Sequence, residues 1–241
     1  MDYRQNFITE VVSGKSFLEV GGLWGAVNEK ATVAFQAGAS EIAALDIWES
    51  GSEWWEKFRE RCEALGLNKV AEHIGSIDNV EFIRNIGQYD VVHCSGVLYH
   101  CPNPFLTLRN LHFVSRDFVI LTSAVMPPSI SNELGQINFD DDSAVLVPAI
   151  VDSKRRIVDK YIIQRYGGGA YGVNSPVDAW FFDGGAPNYG PWWWLWSAGY
   201  LRSMALCAGF ALVKEGSQFD GTGHCLLLKK IPDTVQNFGV Y

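Results

Sequence analysis

No uncharged apolar run in this 241-residue chain approaches the roughly 20 residues that a membrane span needs. The opening stretch MDYRQNFITEVVSGK also has no apolar core of the kind a secretory leader carries. Together these absences predict a soluble protein with no membrane partner. Basic charge is scarce as well: 19 Lys and Arg stand against 27 Asp and Glu, a formal charge of −8. Without a Lys/Arg run to track phosphates, nucleic acid is a disfavoured partner. The five cysteines (Cys62, Cys94, Cys101, Cys207, Cys225) are odd in number and have no C-x-x-C spacing. That excludes a disulfide framework and a zinc knuckle, and points to a reducing, cytoplasmic setting. His73, His93, His112 and His224 have no partner at metal-ligand spacing, so no metal site is expected. Neither an internal repeat nor a low-complexity tail is present.

What the chain does have is enough apolar content, 48%, to bury one sizeable core, so a single domain is expected over 1–241. From Ser16 to Val125 short apolar runs alternate with amphipathic stretches, the pattern of a parallel sheet covered by helices. SFLEV, EIAALDI, AEHIGSI, YDVVHCS and DFVILTSAV read as strands. GAVNEKATVAFQAG reads as a helix stopped by Gly38 in a left-handed conformation. In WESGSEWWEKFRERCEALG, Ser50 and Glu53 have capping-box spacing, Gly66 supplies the stop, and Trp55, Phe58, Cys62 and Leu65 share the buried face. Asn103 and Pro104 open a third helix.

After Val125 the texture changes, because six of the nine prolines and a triple glycine fall between Met126 and Pro191. Segment 127–191 therefore reads as an insertion, with a strand in AVLVPAIV and a helix in DSKRRIVDKYIIQRYGGG closed by Gly167. A helix in SAGYLRSMALCAGF and two strands, FALVKEG and HCLLLKKI, then finish the sheet as an antiparallel hairpin. The expected fold is α/β: a Rossmann-like, doubly wound, mostly parallel seven-stranded sheet with the insertion after its fifth strand.

The stretch FLEVGGLWG (Phe17 to Gly25) ends a strand in a glycine-rich turn, which brings backbone N–H groups close to a ligand at the sheet edge. A dinucleotide fingerprint G-x-G-x-x-G fits neither register, since Leu23 and Trp24 stand where the second glycine belongs. What remains is acidic-x-Gly-x-x-x-Gly, with Glu19, Gly21 and Gly25, and Gly22 beside them. This resembles the first motif of class I S-adenosylmethionine-dependent methyltransferases. The resemblance implies that Asp46 accepts both ribose hydroxyls, that Ile47 packs on adenine, and that Ser76 and Ile77 lie at the adenine edge. The family often has an acidic residue where Ser76 stands, and Asp78 is the available substitute. In YDVVHCSGVLYHCPNPFLTLRNL, Cys94, Ser95 and Gly96 would border the cofactor. GVLYH before a Pro-containing turn is most similar to the branch that forms 5-carboxymethoxyuridine at the tRNA wobble position. The arginine that holds the extra carboxylate in that branch has no counterpart in GTGHCLLL, so ordinary methyl transfer is the preferred reading.

The resemblance thus implies S-adenosylmethionine as cofactor, S-adenosylhomocysteine as product, and an O or N nucleophile on a small molecule as acceptor. His100 is the candidate base, since imidazole titrates near neutrality, and Tyr99 is the alternative proton handler. The insertion is expected to bind substrate through Asp140, Trp180, Tyr189 and Trp193, aromatic faces beside carboxylates that suit a ring or a cation. Two alternatives stay open: a tRNA wobble-uridine transferase using the cluster Lys154, Arg155, Arg156, Lys160 and Arg165, and a cofactor-binding scaffold without catalysis. The oligomeric state, a homodimer included, is not fixed by the sequence.

Overall fold

The computed structural model describes residues 2–24, 29–166, 173–182 and 185–232. Its centre is a seven-stranded sheet built from β1 (Ser16–Val20), β2 (Glu41–Asp46), β3 (Ala71–Ile74), β4 (Tyr89–Ser95), β5 (Ser115–Ala124), β10 (Phe210–Gln218) and β11 (Gly223–Lys230). The strand order is β10-β11-β5-β4-β1-β2-β3. β3, β2, β1, β4 and β5 run parallel, while β11 lies antiparallel to β5 and to β10. The α/β fold expected from the sequence is the one observed. Chain order reverses between β1 and β4, which leaves a crevice at their carboxyl ends, where open α/β sheets bind ligands.

Every residue of β1 is buried, because helices cover both faces of the sheet. On one face Leu18, Val20, Leu45, Val92 and Leu121 pack against Ile83 of α4 (Val80–Asn85), Leu108 of α5 (Pro104–Val114), and Leu201 and Met204 of α7 (Ala198–Cys207). On the other, Phe17, Ile42, Val91 and Ile120 meet Phe7 of α1 (Tyr3–Val11), Ala34 of α2 (Ala31–Gln36), and Trp55 and Phe58 of α3 (Glu53–Ala64). Gly38 and Gly66 end α2 and α3 at φ +86° and +81°, as their positions predict. Asn103 Oδ1 accepts from Leu106 N at 3.1 Å, capping α5.

Several details differ from the sequence expectation. The Ser50–Glu53 capping box does not form: α3 is preceded by Ser52, and Ser50 Oγ instead accepts from the Arg59 guanidinium at 3.1 Å. Leu65, at 40% exposure, has left the buried face. β3 ends at Ile74, so Ser76 and Ile77 lie in a turn, and α1 and α4 are two helices that the periodicity did not announce.

The insertion has an apolar cluster of its own, including Ile130, Phe139, Val158, Ile162, Trp180 and Leu195. It contains a hairpin of β6 (Ser129–Asn132) and β7 (Gly135–Asn138), then β8 (Ala144–Leu146), and α6 (Asp152–Tyr166). β8 is shorter than AVLVPAIV because Pro148 starts a 3-10 turn there, and it pairs with β9 (Trp194–Trp196). The Gly167 stop expected for α6 lies outside the described residues. Among the described residues no helix is long and apolar enough to cross a membrane.

Candidate active site

Three carboxyl-edge segments meet over β1 and β2. Gly21 leaves β1 at φ +72° and its N–H donates to Leu45 O of β2 at 2.9 Å. A Cβ on Gly21 would stand 2.2 Å from Val97 Cγ2, and one on Gly22 would stand 2.6 Å from Glu19 Oε1. The missing side chains therefore make room for the Val97 side chain and the Glu19 carboxylate, which pack directly against the turn's backbone. Gly25 lies outside the described residues.

Glu19 is 2% exposed and accepts from His93 Nδ1 at 2.9 Å. A carboxylate can only accept, so the proton sits on Nδ1. Strand register places Glu19 directly opposite His93 on neighbouring strands. Glu19 consequently packs against the Gly22 turn, is tied to β4, and lies close enough to Asp46 for its charge to act there.

Asp46 ends β2, where its carboxylate accepts from Leu23 N at 3.2 Å and Trp48 N at 3.4 Å. Burial pushes its pKa up, and these backbone N–H groups oppose the rise. Beside it Ile47 and Trp48 are exposed, and the Trp48 ring lies 5.9 Å from that of Trp54. This apolar ledge runs from Asp46 along the surface of α3. Ile77, expected at the rim, is 4% exposed and packs in the core, because the turn after β3 rotates it inwards. Cys94 is likewise a core residue, its thiol pKa raised by burial, so only Ser95 and Gly96 of that trio reach the edge. Ser76 Oγ accepts from Asp78 N at 3.1 Å. Asp78 itself accepts from Thr107 Oγ1 at 2.5 Å and from Tyr189 Oη at 3.1 Å.

Above the end of β4, Leu98–His100 form a 3-10 turn. His100 Nδ1 donates to Pro191 O at 3.1 Å, which leaves Nε2 as the acceptor nitrogen. Burial takes the imidazole down to about 4 against the pull of the Pro191 and Gly190 carbonyls, so the ring is neutral at pH 7, below the near-neutral titration expected from its type. The Tyr99 ring lies 4.4 Å from those of His100 and Trp192. Trp193 N donates to Tyr99 O at 2.8 Å, and Trp194 Nε1 to Pro102 O at 3.2 Å, so the insertion is bonded onto the loop that carries Tyr99 and His100.

The substrate residues expected from composition do not converge. Tyr189 reaches the site through Asp78, and Trp192, not among them, packs at a tilt of 50° on Tyr99. Trp180 is fully buried, donates to Trp192 O at 3.0 Å, and is a core anchor of the insertion. Trp193 is 6% exposed and holds Asn188 O at 2.8 Å. Asp140 lies exposed in the turn that docks on α7 through the Ser197 hydroxyl and Asp141 O, and has no described contact with the aromatic group. The basic cluster is not an open phosphate-binding face: Arg155 is buried against Ser175 O and Asp152, Lys160 pairs with Glu133, and Arg165 bonds Asp220 O. No group of three His, Cys, Asp or Glu among the described residues could hold a metal ion.

No family model matches the chain. Aminoacylase-1 of Dictyostelium discoideum is 32% identical over 71 residues, 28% of this chain and 17% of that protein, too short a stretch to show a family. Solved structures are similar in fold. An O-methyltransferase family protein from Burkholderia thailandensis superposes with TM-score 0.59 and 11% identity over 96% of this chain. An O-methyltransferase family 2 protein from Planctomyces limnophilus, in complex with apigenin, gives TM-score 0.57 and 12% identity over 94%. This chain spans 55% and 57% of those two. Magnesium protoporphyrin IX methyltransferase from Synechocystis, with S-adenosylhomocysteine bound, gives 0.53 and 16%, covering 94% of this chain and 83% of that one. The fold is the class I methyltransferase fold, and these three lend no support to the wobble-uridine branch.

Proposed function

We propose that this protein is an S-adenosylmethionine-dependent methyltransferase acting on an O or N nucleophile of a small molecule. The observation that carries the reading is the glycine turn at Gly21 and Gly22, packed between Val97 and Glu19, with Asp46 at the end of the adjacent strand. A turn without side chains suits the amino-acid part of such a cofactor, and a carboxylate beside an exposed apolar ledge suits a ribose with a base attached. Gly21, Gly22 and Asp46 would hold the cofactor, Ile47 and Trp48 would flank its base, and Ser95 and Gly96 would border it. When bound, S-adenosylmethionine supplies a methyl group on a sulfonium, itself a good leaving group, and departs as S-adenosylhomocysteine.

The chain's own residues then align and deprotonate. His100 is fixed in one tautomer by Pro191 O, so Nε2 can accept the proton of an acceptor hydroxyl as that proton turns acidic on methyl transfer, a step open even to an imidazole held down at about 4. Tyr99 and Trp192 form an aromatic wall beside it, and the segment that ends the insertion, bonded to Tyr99 and Pro102 through Trp193 and Trp194, would cover the crevice. Apigenin, bound in one structural neighbour, and the magnesium protoporphyrin IX for which another is named are planar ring systems, which agrees with a substrate that packs on this wall.

Purified protein is denatured and its released small molecules are identified by mass spectrometry, then a panel of phenols and aromatic amines is screened for S-adenosylhomocysteine production. Released cofactor with turnover supports the reading. Cofactor binding with no turnover across the panel indicates a scaffold, and binding of NAD with no saturable binding of S-adenosylmethionine sinks it.

A further inference from the structure

The crevice runs from the glycine turn past Asp46 and the Ile47–Trp48 ledge toward the turn after β3, because β3 is the next strand beyond β2. Whatever base hangs from a sugar held at Asp46 must therefore meet that turn. Its polar side chains are Ser76 and Asp78, and they already have a partner from a distant part of the chain. Tyr189, in the insertion, places its hydroxyl 3.1 Å from Asp78 Oδ2 and against the Ser76 side chain. The other carboxylate oxygen, Oδ1, is taken by Thr107, which is fully buried on α5.

The two hydroxyls differ in how they are held. Thr107 belongs to the packed body of the sheet. Tyr189 belongs to a strap, residues 188–194, that is bonded along its length to the loop after β4. His100 Nδ1 donates to Pro191 O, Trp193 N to Tyr99 O, and Trp194 Nε1 to Pro102 O. Among the described residues, Tyr189 makes the hydrogen bonds from this strap to the opposite rim at the β3 turn. The strap thus bridges the crevice from the β4 side to the β3 side, and its far end rests on the Tyr189 hydroxyl, shared between Asp78 and Ser76.

We propose that the Tyr189 hydroxyl and the exocyclic amino group of adenine compete for Asp78, so that Tyr189 couples the position of the strap to occupancy of the adenine end of the crevice. The inference rests on the crevice being an S-adenosylmethionine site. A phenol O–H and an arylamine N–H are both neutral donors to an acceptor-only carboxylate, so one replaces the other at little net cost. Lifting the strap without a replacement leaves a half-buried carboxylate with one donor fewer, which is unfavourable. The empty protein therefore keeps the strap fastened, and an adenine-bearing cofactor frees it. The order that follows is cofactor first, then substrate beneath the freed strap. Tyr189 is a positioning residue in this scheme.

The test compares S-adenosylhomocysteine with its deaminated analogue S-inosylhomocysteine, which has a carbonyl in place of the amino group, by calorimetry on the full chain. Tyr189→Phe removes the competing donor while keeping the ring. The expected result is about 5-fold tighter binding of S-adenosylhomocysteine and unchanged binding of the inosine analogue, so that discrimination between them widens. Equal weakening of both ligands, or unchanged discrimination, overturns the proposal, because a residue that only shapes the pocket would not tell the two bases apart. Asp78→Asn provides a second variant should Tyr189→Phe fold poorly: it is expected to erase most of the discrimination, and full discrimination in that variant also overturns the proposal. Wild-type protein that binds neither ligand fails differently, since it removes the cofactor reading itself and the coupling with it.

Discussion

Phe17 and Phe58, between the sheet and its helices, are buried by packing alone, whereas the tryptophans of and beside the insertion end on hydrogen bonds. Trp180 Nε1 donates to Trp192 O, Trp193 Nε1 to Asn188 O, Trp194 Nε1 to Pro102 O, and Trp196 Nε1 to Ser123 Oγ at 3.2 Å. In the sheet, periodic backbone bonding satisfies the polar groups and apolar side chains need only fill space. The insertion has little regular backbone pairing, with two short strand pairs and one long helix, so its carbonyls need side-chain donors. Indole supplies both the area and the donor. A tryptophan cluster in irregular chain is therefore first a scaffold, and among these tryptophans Trp192, packed at a tilt on Tyr99, is the one that reaches the candidate reaction site.

The largest effect that sharpens this contrast is expected at the glycine turn. Gly21→Ala adds a Cβ 2.2 Å from Val97 Cγ2 at a backbone φ of +72°, and the combined clash and left-handed strain should cost about 2–5 kcal/mol of stability and abolish cofactor binding. Adding Val97→Ala should recover the clash and not the strain; chemical denaturation showing no recovery would place the constraint elsewhere.

Next in size is His100→Gln, expected to lower kcat by ~10²-fold or more while the cofactor Kd holds. With the imidazole pKa down at about 4, wild-type activity should stay flat from pH 8 to about 5. Stability has a defined sign here. The unfolded chain takes up this proton near 6.5, the ordinary value of an imidazole, before the folded one does, so stability is complete above that pH and declines toward about 4. The loss from this group should be about 3 kcal/mol. Asp46 and Asp78, whose folded pKa values are raised, favour the folded state at acid pH and lose that contribution as pH rises. Subtracting the His100→Gln curve from the wild-type curve isolates the histidine, and a flat difference would contradict the assignment.

A smaller effect separates anchors from fillers. Trp180→Phe removes the donor to Trp192 O and should destabilise the insertion by about 1–3 kcal/mol, whereas Phe58→Leu should cost roughly 1 kcal/mol. Equal losses on denaturant unfolding would break the contrast. The smallest expected effect is Lys57→Gln, whose exposed pair with Glu53 on α3 should be worth under about 0.5 kcal/mol.

Legibility in the sequence followed the same division. β1 and β4 were readable to the residue because strands covered on both faces give continuous apolar runs. α1 was not, since its buried face includes Arg4, which bonds Asp2 and carries no apolar signal. α4 spans only six residues with one buried, although Asn79, capping Phe82 N at 3.1 Å, was an available marker. In the site, Gly21, Gly22 and Asp46 could be found because a turn and a strand end are local features. The Glu19–His93 pair needed the β1–β4 register, and the Tyr189–Asp78 contact joins residues 111 apart. Trp180 was misplaced because composition alone cannot separate a pocket wall from an anchor.

The most direct test of the central claim is a calorimetric titration of the purified protein with S-adenosylhomocysteine, repeated on Asp46→Ala after its folding is confirmed by circular dichroism. The account predicts saturable binding at one ligand per chain, weakened roughly 10- to 100-fold by the substitution as a charge-assisted pair of hydrogen bonds is lost. Absence of saturable binding, or an affinity indifferent to Asp46, would contradict it.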